Sequence, residues 1–192
     1  IGEKEFMGLP FHVTKDVLIP RPDTETLVED ILAVLPNDGE YRILDVCTGP
    51  GTILYSLLHY MPNATGMGLD ISKDALQVAA TNREKLEIGD RAKLCVSDLF
   101  SALASLGGYE ESFDVITSNP PYIPTAELET LAVEVKNEPS LALDGGEDGL
   151  DFYRRLVTDS ATYLKSGGYL AVEIGMGQEE DVCVLAKATG FY

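Results

Sequence analysis

An open, mostly parallel α/β sheet, wound with helices on both faces and preceded by a short arm or hairpin, is the fold class this sequence predicts. Three observations lead there. Strand-sized apolar runs alternate with helical segments from Ile43 onward, most connections are short, and glycine, aspartate or Asn-Pro closes four successive strand runs. With 192 residues, 45% of them hydrophobic, the chain is long enough to bury one full core.

Glu3 to Val13 alternates apolar positions around Gly8-Leu9-Pro10 and predicts a hairpin or extended arm. Pro20-Arg21-Pro22 breaks that pattern. Pro22, Asp23 and Glu25 suit a first helical turn, and Leu27, Val28, Ile31, Leu32 and Leu35 follow at helical spacing until Pro36-Asn37-Asp38-Gly39. Ile43 to Val46 predicts the first sheet strand, with a helix from Thr52 to His59. Thr65 to Leu69 predicts the second, followed by a helix carrying Leu76, Ala79, Ala80 and Leu86. Ala92 to Val96 and Phe113 to Thr117 are the third and fourth, separated by a helical piece around Leu99 to Leu106. Leu150 to Leu164 predicts an amphipathic helix, Tyr169 to Ile174 a fifth strand and Gln178 to Ala188 a last helix. Ile123 to Gly149 carries no periodic pattern and reads as a long loop of the kind that is functional or mobile.

Charge and composition exclude several classes. The 32 acidic against 14 basic residues give a net charge of −18, a field that repels a phosphate backbone. No apolar run approaches the ~20 residues of a membrane span, so a soluble cytoplasmic protein is expected. Cys47, Cys95 and Cys183 are far apart and form no Cys-x-x-Cys pair, so buried thiols are expected rather than a disulfide framework or metal site. His12 and His59 read as structural.

In sheets of this kind ligands bind beyond the carboxyl ends of the strands. Asp45-Val46-Cys47-Thr48-Gly49-Pro50-Gly51 closes the first strand, and its glycines allow close backbone approach. Asp70, 19 residues past Gly51, closes the second, where a carboxylate can accept both hydroxyls of a ribose. Asp98-Leu99 closes the third, where an acid could meet an adenine edge while Leu99 packs on the ring. Each aspartate also reads as an ordinary helix cap. Asn119-Pro120-Pro121-Tyr122 closes the fourth: two prolines stiffen the turn, and an amide, a bare carbonyl and an aromatic face suit a planar nitrogen-bearing group. Together the four describe a nucleoside-bearing cofactor with its reactive end toward Asn119. Leu54 stands where a dinucleotide fingerprint needs Gly or Ala, which favours a cofactor without a pyrophosphate.

On these residues the chain resembles the S-adenosylmethionine-dependent methyltransferases, and within them the protein-(glutamine-N(5)) methyltransferases that modify peptide chain release factors. The resemblance runs through Gly2-Glu3-Lys4-Glu5-Phe6, Leu18-Ile19-Pro20-Arg21-Pro22 with Thr24-Glu25, the Asp45 to Gly51 turn, Asp70-Ile71-Ser72, Asp98-Leu99-Phe100, Ser118 to Pro124, Glu138-Pro139 and Leu141 to Arg155. The Asn-Pro-Pro-Tyr turn is shared with enzymes that methylate DNA adenine or RNA guanine. The Leu141 to Leu150 run and the Ile-Pro-Arg-Pro arm are specific to the glutamine class.

The resemblance implies a Rossmann-like class I methyltransferase fold, with residues 1–22 an arm leading from an N-terminal helical domain and 23–192 the catalytic domain, short of two final strands. It implies S-adenosylmethionine as donor, bound by Asp45, Val46, Cys47, Thr48, Gly49, Gly51, Asp70, Ile71, Asp98, Leu99 and Asn119, with S-adenosylhomocysteine as product. It implies a release factor's Gly-Gly-Gln glutamine as acceptor, held by Asn119, Pro120, Pro121 and Tyr122. Asn119 Oδ1 and the Pro120 carbonyl would accept the two amide hydrogens, and Tyr122 would stack on the amide plane. Neither metal, nucleic acid nor membrane enters this expectation. Cys47 and Pro50 depart from the family's usual glycine and small polar residue. Three other readings stay open: an amino-methyltransferase for a nucleic-acid base, a nicotinamide oxidoreductase, and a binding module without activity.

Overall fold

Met7 and Gly8 both take positive φ, 51° and 71°, the two-residue turn whose twist matches a hairpin. It joins β1 (Glu3–Phe6) to β2 (Leu9–His12) in antiparallel register, Phe6 opposite Leu9. The computed structural model describes residues 2–192; Ile1, counted in the arm, lies outside them. After the arm come α1 (Pro22–Val34), β3 (Arg42–Val46), α2 (Thr52–Tyr60), β4 (Thr65–Asp70), α3 (Lys73–Lys85) and β5 (Ala92–Val96). Then follow α4 (Ser101–Leu106), β6 (Phe113–Ser118), α5 (Val133–Lys136), α6 (Asp151–Tyr163), β7 (Leu164–Val172) and α7 (Glu179–Ala188).

The five central strands are all parallel in the order β5-β4-β3-β6-β7. The chain builds outward from β3 in one direction and then returns to lay β6 on its other side. The strand order therefore reverses between β3 and β6, the crevice where such sheets bind ligands. Alternation sorts the two faces. Ile43 and Val115 pack with α1, α2 and the hairpin, including Phe6, Phe11, Val28, Leu54 and Leu58. Leu44, Val46 and Ile116 pack with Leu103 of α4 and Leu156 and Tyr163 of α6. Fully burying one such leucine contributes about 2 kcal/mol, so each helix layer is held chiefly by its apolar stripe.

The elements sit close to expectation, with three differences. Residues 123–149 are not structureless: they hold α5 and two short 3-10 turns, Thr125–Thr130 and Ser140–Ala142. Their turns are too short to produce apolar periodicity. The last strand begins at Leu164 rather than Tyr169, because β6 and β7 pair on both sides of an irregularity between Phe113 and Val115. Gly168 sits in that irregularity, where a Cβ would lie 2.9 Å from the Asp114 carbonyl. Cys183 is exposed and Cys47 and Cys95 are half-buried, so the thiols are less buried than expected. Cys183 lies on α7, where Val182 turns inward and its neighbour faces out.

Candidate active site

The turn after β3 is built on positive φ. Cys47, Gly49 and Gly51 take 59°, 54° and 83°. A non-glycine residue seldom adopts this region, and Cys47 is held there as the Thr48 N–H bonds to the Leu69 carbonyl at 2.9 Å. Gly51 is sterically obligatory, since a Cβ would fall 2.3 Å from the Tyr55 ring. At Gly49 a Cβ would meet no atom within 4 Å, so that backbone is open to a ligand.

Asp45 lies beneath the turn and is 1% exposed. It accepts hydrogen bonds from Thr48 Oγ1 at 2.6 Å and Thr117 Oγ1 at 2.7 Å, tying β3, its turn and β6 across the switch point. Burial pushes its carboxyl up to about 6, against the two threonine bonds. Asp70 accepts from the Gly49 N–H and the Ser72 N–H, each at 2.8 Å. It thus braces the glycine turn and the start of α3 with one oxygen each, and burial raises its pKa too. Asp98 pairs with Arg155 Nη2 at 2.8 Å, a partner on α6 that sequence reading did not foresee. Leu99 beside it takes φ 45° and is buried.

At the end of β6, Asn119 Nδ2 donates to Thr24 Oγ1 at 3.3 Å. The Thr24 hydroxyl donates to Glu173 Oε2, and the Tyr122 hydroxyl donates to Glu173 Oε1 at 3.2 Å. Burial first, and Glu173 second, push the Tyr122 phenol up to about 12, so it stays protonated near neutrality. Among the described residues, neither Asn119 Oδ1 nor the Pro120 carbonyl has a hydrogen-bond donor.

These strand ends open on one cavity of about 330 Å³. Its lining includes Cys47, Thr48, Gly49, Asp70, Ile71, Asp98, Leu99, Asn119 and Pro121. Asp45, Val46, Gly51, Pro120 and Tyr122 are not among the residues that line it. Asp45 and Gly51 shape the turn and Tyr122 meets Glu173, as described above. The arm supplies another wall through Phe6, Val17, Pro20 and Arg21, and residues 139–142 a further one. Arg21 and Glu138 form an ion pair between those two walls, and Glu138 also accepts the Ile19 N–H at 3.0 Å.

A family model described as a methyltransferase domain matches residues 37–180. A relative from Moorella thermoacetica named release factor glutamine methyltransferase is 48% identical, covering all of this chain and 66% of its own length. One of the same name from Clostridium acetobutylicum is 46% identical, covering 100% of this chain and 67% of its own. This chain belongs to the release factor glutamine methyltransferase family. It spans about two thirds of the length of those curated relatives, and 64% of one from Caulobacter vibrioides. A solved methyltransferase from Pyrococcus furiosus superposes with TM-score 0.65 at 18% identity, covering 95% of this chain and 79% of that one. The hMettl16 catalytic domain in complex with MAT2A 3'UTR hairpin 6 gives TM-score 0.71 at 18% identity, covering 96% and 68%. At that identity the two solved structures speak for the class I methyltransferase fold alone.

Three positions in this family member escaped sequence reading. Glu173 stood inside the strand expected over Tyr169 to Ile174, where one carboxylate reads as a solvent-facing position, whereas the strand ends at Val172; Thr24 was noted only among the residues that carry the resemblance. Asn82 is fully buried mid-helix; it accepts from the His12 N–H at 2.7 Å and donates to the His12 and Pro50 carbonyls at 3.0 and 2.9 Å. A polar residue on the apolar stripe of α3 was the available clue.

Proposed function

We propose that residues 23–192 form a catalytic domain that transfers a methyl group from S-adenosylmethionine to the side-chain amide of the glutamine in the Gly-Gly-Gln motif of peptide chain release factors. The observation that carries this reading is the pair of acceptors Asn119 Oδ1 and the Pro120 carbonyl, both without donors among the described residues, on one rigid turn. A primary amide offers two hydrogens to match. The relatives' shared name supplies the substrate class.

The cavity fits the donor. Open space over Gly49 admits a ligand against the backbone, and Asp70 retains acceptor capacity for hydroxyls after its two N–H bonds. Leu99 and Phe152 offer apolar surface to a base; of the charged lining residues, Arg155 pairs with Asp98 and Arg21 with Glu138, which leaves Asp16 and Asp70, among the described residues, without a cationic partner on the side a cation would approach. Leu54 is fully buried in the core, and a Cβ on Gly66 would lie 2.5 Å from it, so α2 is seated by packing against β4. When bound, S-adenosylmethionine supplies an electrophilic methyl group on a sulfonium, a leaving group that needs no acid.

An amide nitrogen is a poor nucleophile because its lone pair is delocalised into the carbonyl. Asn119 and Pro120 would accept hydrogen bonds from its two N–H groups and turn the lone pair toward the methyl group, and one of those protons would leave to solvent once the nitrogen is methylated, so rate comes from orientation and electrostatics. Tyr122, fixed by Glu173, would offer its ring to the amide plane.

The decisive assay is methyl transfer to a release factor against the same protein with the Gly-Gly-Gln glutamine changed to alanine. Label on the first alone is expected. Label on RNA or DNA and none on the release factor would favour a base methyltransferase instead. Calorimetry should show binding of S-adenosylhomocysteine and not of NAD, and Asn119→Ala should cut turnover while leaving that binding nearly intact.

A further inference from the structure

We propose that Thr24 and Glu173 are positioning residues that decide which end of the Asn119 amide faces the substrate. The inference rests on the reading of Asn119 as an acceptor given above. Its logic is hydrogen-bond polarity. An ionised carboxylate only accepts, so Glu173 takes the single hydrogen of the Thr24 hydroxyl. That hydroxyl is left with lone pairs alone toward Asn119 and can only accept from it. Nδ2 must then point at Thr24, which is the contact seen at 3.3 Å, and Oδ1 is the end left for the substrate. Without this chain the two ends of an amide are nearly equivalent in shape. A flipped Asn119 would present N–H groups to the hydrogens of the substrate amide and repel them.

The chain draws on three distant segments: α1 gives Thr24, the turn after β6 gives Asn119, and the residue after β7 gives Glu173. Thr24 is 5% exposed, so water competes little for its hydroxyl. Glu173 is itself anchored: its N–H bonds to the Ser118 carbonyl at 3.0 Å, and its carbonyl accepts the Tyr153 hydroxyl at 2.9 Å. Its second oxygen holds Tyr122, so one carboxylate orients two groups of the Asn-Pro-Pro-Tyr turn.

Three variants of this chain test it: Thr24→Ser keeps the hydroxyl, Thr24→Val removes it at similar volume, and Glu173→Gln allows the chain to invert. The first readout is the solvent exchange of the Asn119 side-chain amide protons by nitrogen-15 NMR, assigned by their loss in Asn119→Ala. Slow exchange is expected in the unmodified chain and in Thr24→Ser, and faster exchange in Thr24→Val and Glu173→Gln. The second is turnover on a release factor beside the Kd for S-adenosylhomocysteine. Thr24→Val and Glu173→Gln should lower kcat by roughly 10- to 100-fold with Kd within about twofold, and Thr24→Ser should restore most of the rate. Unchanged amide exchange in Thr24→Val overturns the inference, as does a kcat within about twofold of the parent or a matching loss of cofactor affinity. Should the unmodified chain fail to methylate a release factor while the amide protons respond as stated, the substrate reading fails and the positioning role stands.

Discussion

Arg21 and Glu138, 117 residues apart in the chain, form an ion pair that fastens the arm to the segment after α5. The Glu138 side chain is 5% exposed and the Arg21 side chain 37%, so the carboxylate is the member that suffers if the pair is broken. Arg21→Ala leaves it with the Ile19 N–H alone. We expect a loss of about 2 kcal/mol, less than for a wholly buried pair because solvent reaches the guanidinium. Urea unfolding measures the loss, and cleavage by trypsin at Lys136 should accelerate. Glu138→Gln should cost less, since an amide oxygen still accepts from Ile19 and leaves no buried charge.

Gly49 and Gly51 should separate binding from stability. Gly51→Ala drives a Cβ to 2.3 Å from the Tyr55 ring at φ 83°, so a loss of at least about 2 kcal/mol is expected in thermal or urea unfolding. Gly49→Ala has open space around its Cβ and costs only about 1–2 kcal/mol of left-handed strain. Its Cβ would occupy the space proposed for the cofactor. Calorimetry with S-adenosylhomocysteine should therefore show a clear loss of affinity for folded Gly49→Ala. Unchanged affinity would place the cofactor elsewhere.

Asp45 predicts a pH dependence with a definite sign. Folded, burial pushes its carboxyl up to about 6, whereas an unfolded aspartate titrates near 3.9. The folded state therefore holds the proton more tightly. That contribution is complete below about pH 4 and is lost as pH rises through about 6, a swing of about 3 kcal/mol. Asp45→Asn removes the titration. Its stability relative to the parent should rise by about that amount between pH 4 and pH 7, read from urea unfolding at both. A constant difference would mean that Asp45 is not buried as a titrating group.

Asn82 makes three bonds from a fully buried side chain, so Asn82→Ala strands the His12 N–H and two carbonyls. A loss of about 2–4 kcal/mol is expected, by denaturant unfolding. Hydrogen exchange at the amides of residues 9–13 should quicken most, because this side chain bonds the arm to α3 and the glycine turn after β3.

Much of the fold was legible because burial writes a local record. Leu27, Val28 and Ile31 mark one face of α1, and Ile43 to Val46 mark a strand buried on both faces; each pattern spans only a few residues. The strand ends were legible too. Gly49, Asp70, Asp98 and Asn119 stand where apolar runs stop, and the structure brings all four to one cavity. The 3-10 turns of residues 123–149 were not legible, since six or fewer residues cannot establish a period.

The polar bonds that set the site's geometry came from packing. Thr24 meets Glu173 across 149 residues and Asn119 across 95, and Asn82 meets His12 across 70. Such pairs leave no periodic mark, because a hydrogen bond needs only one atom at each end and its partner is fixed by strand order and crossover path. The chain's own pattern thus settled most of the elements, the strand ends that line the cavity and the family resemblance. The β5-β4-β3-β6-β7 order settled which side chains meet across the switch point, and with it the orientation of Asn119.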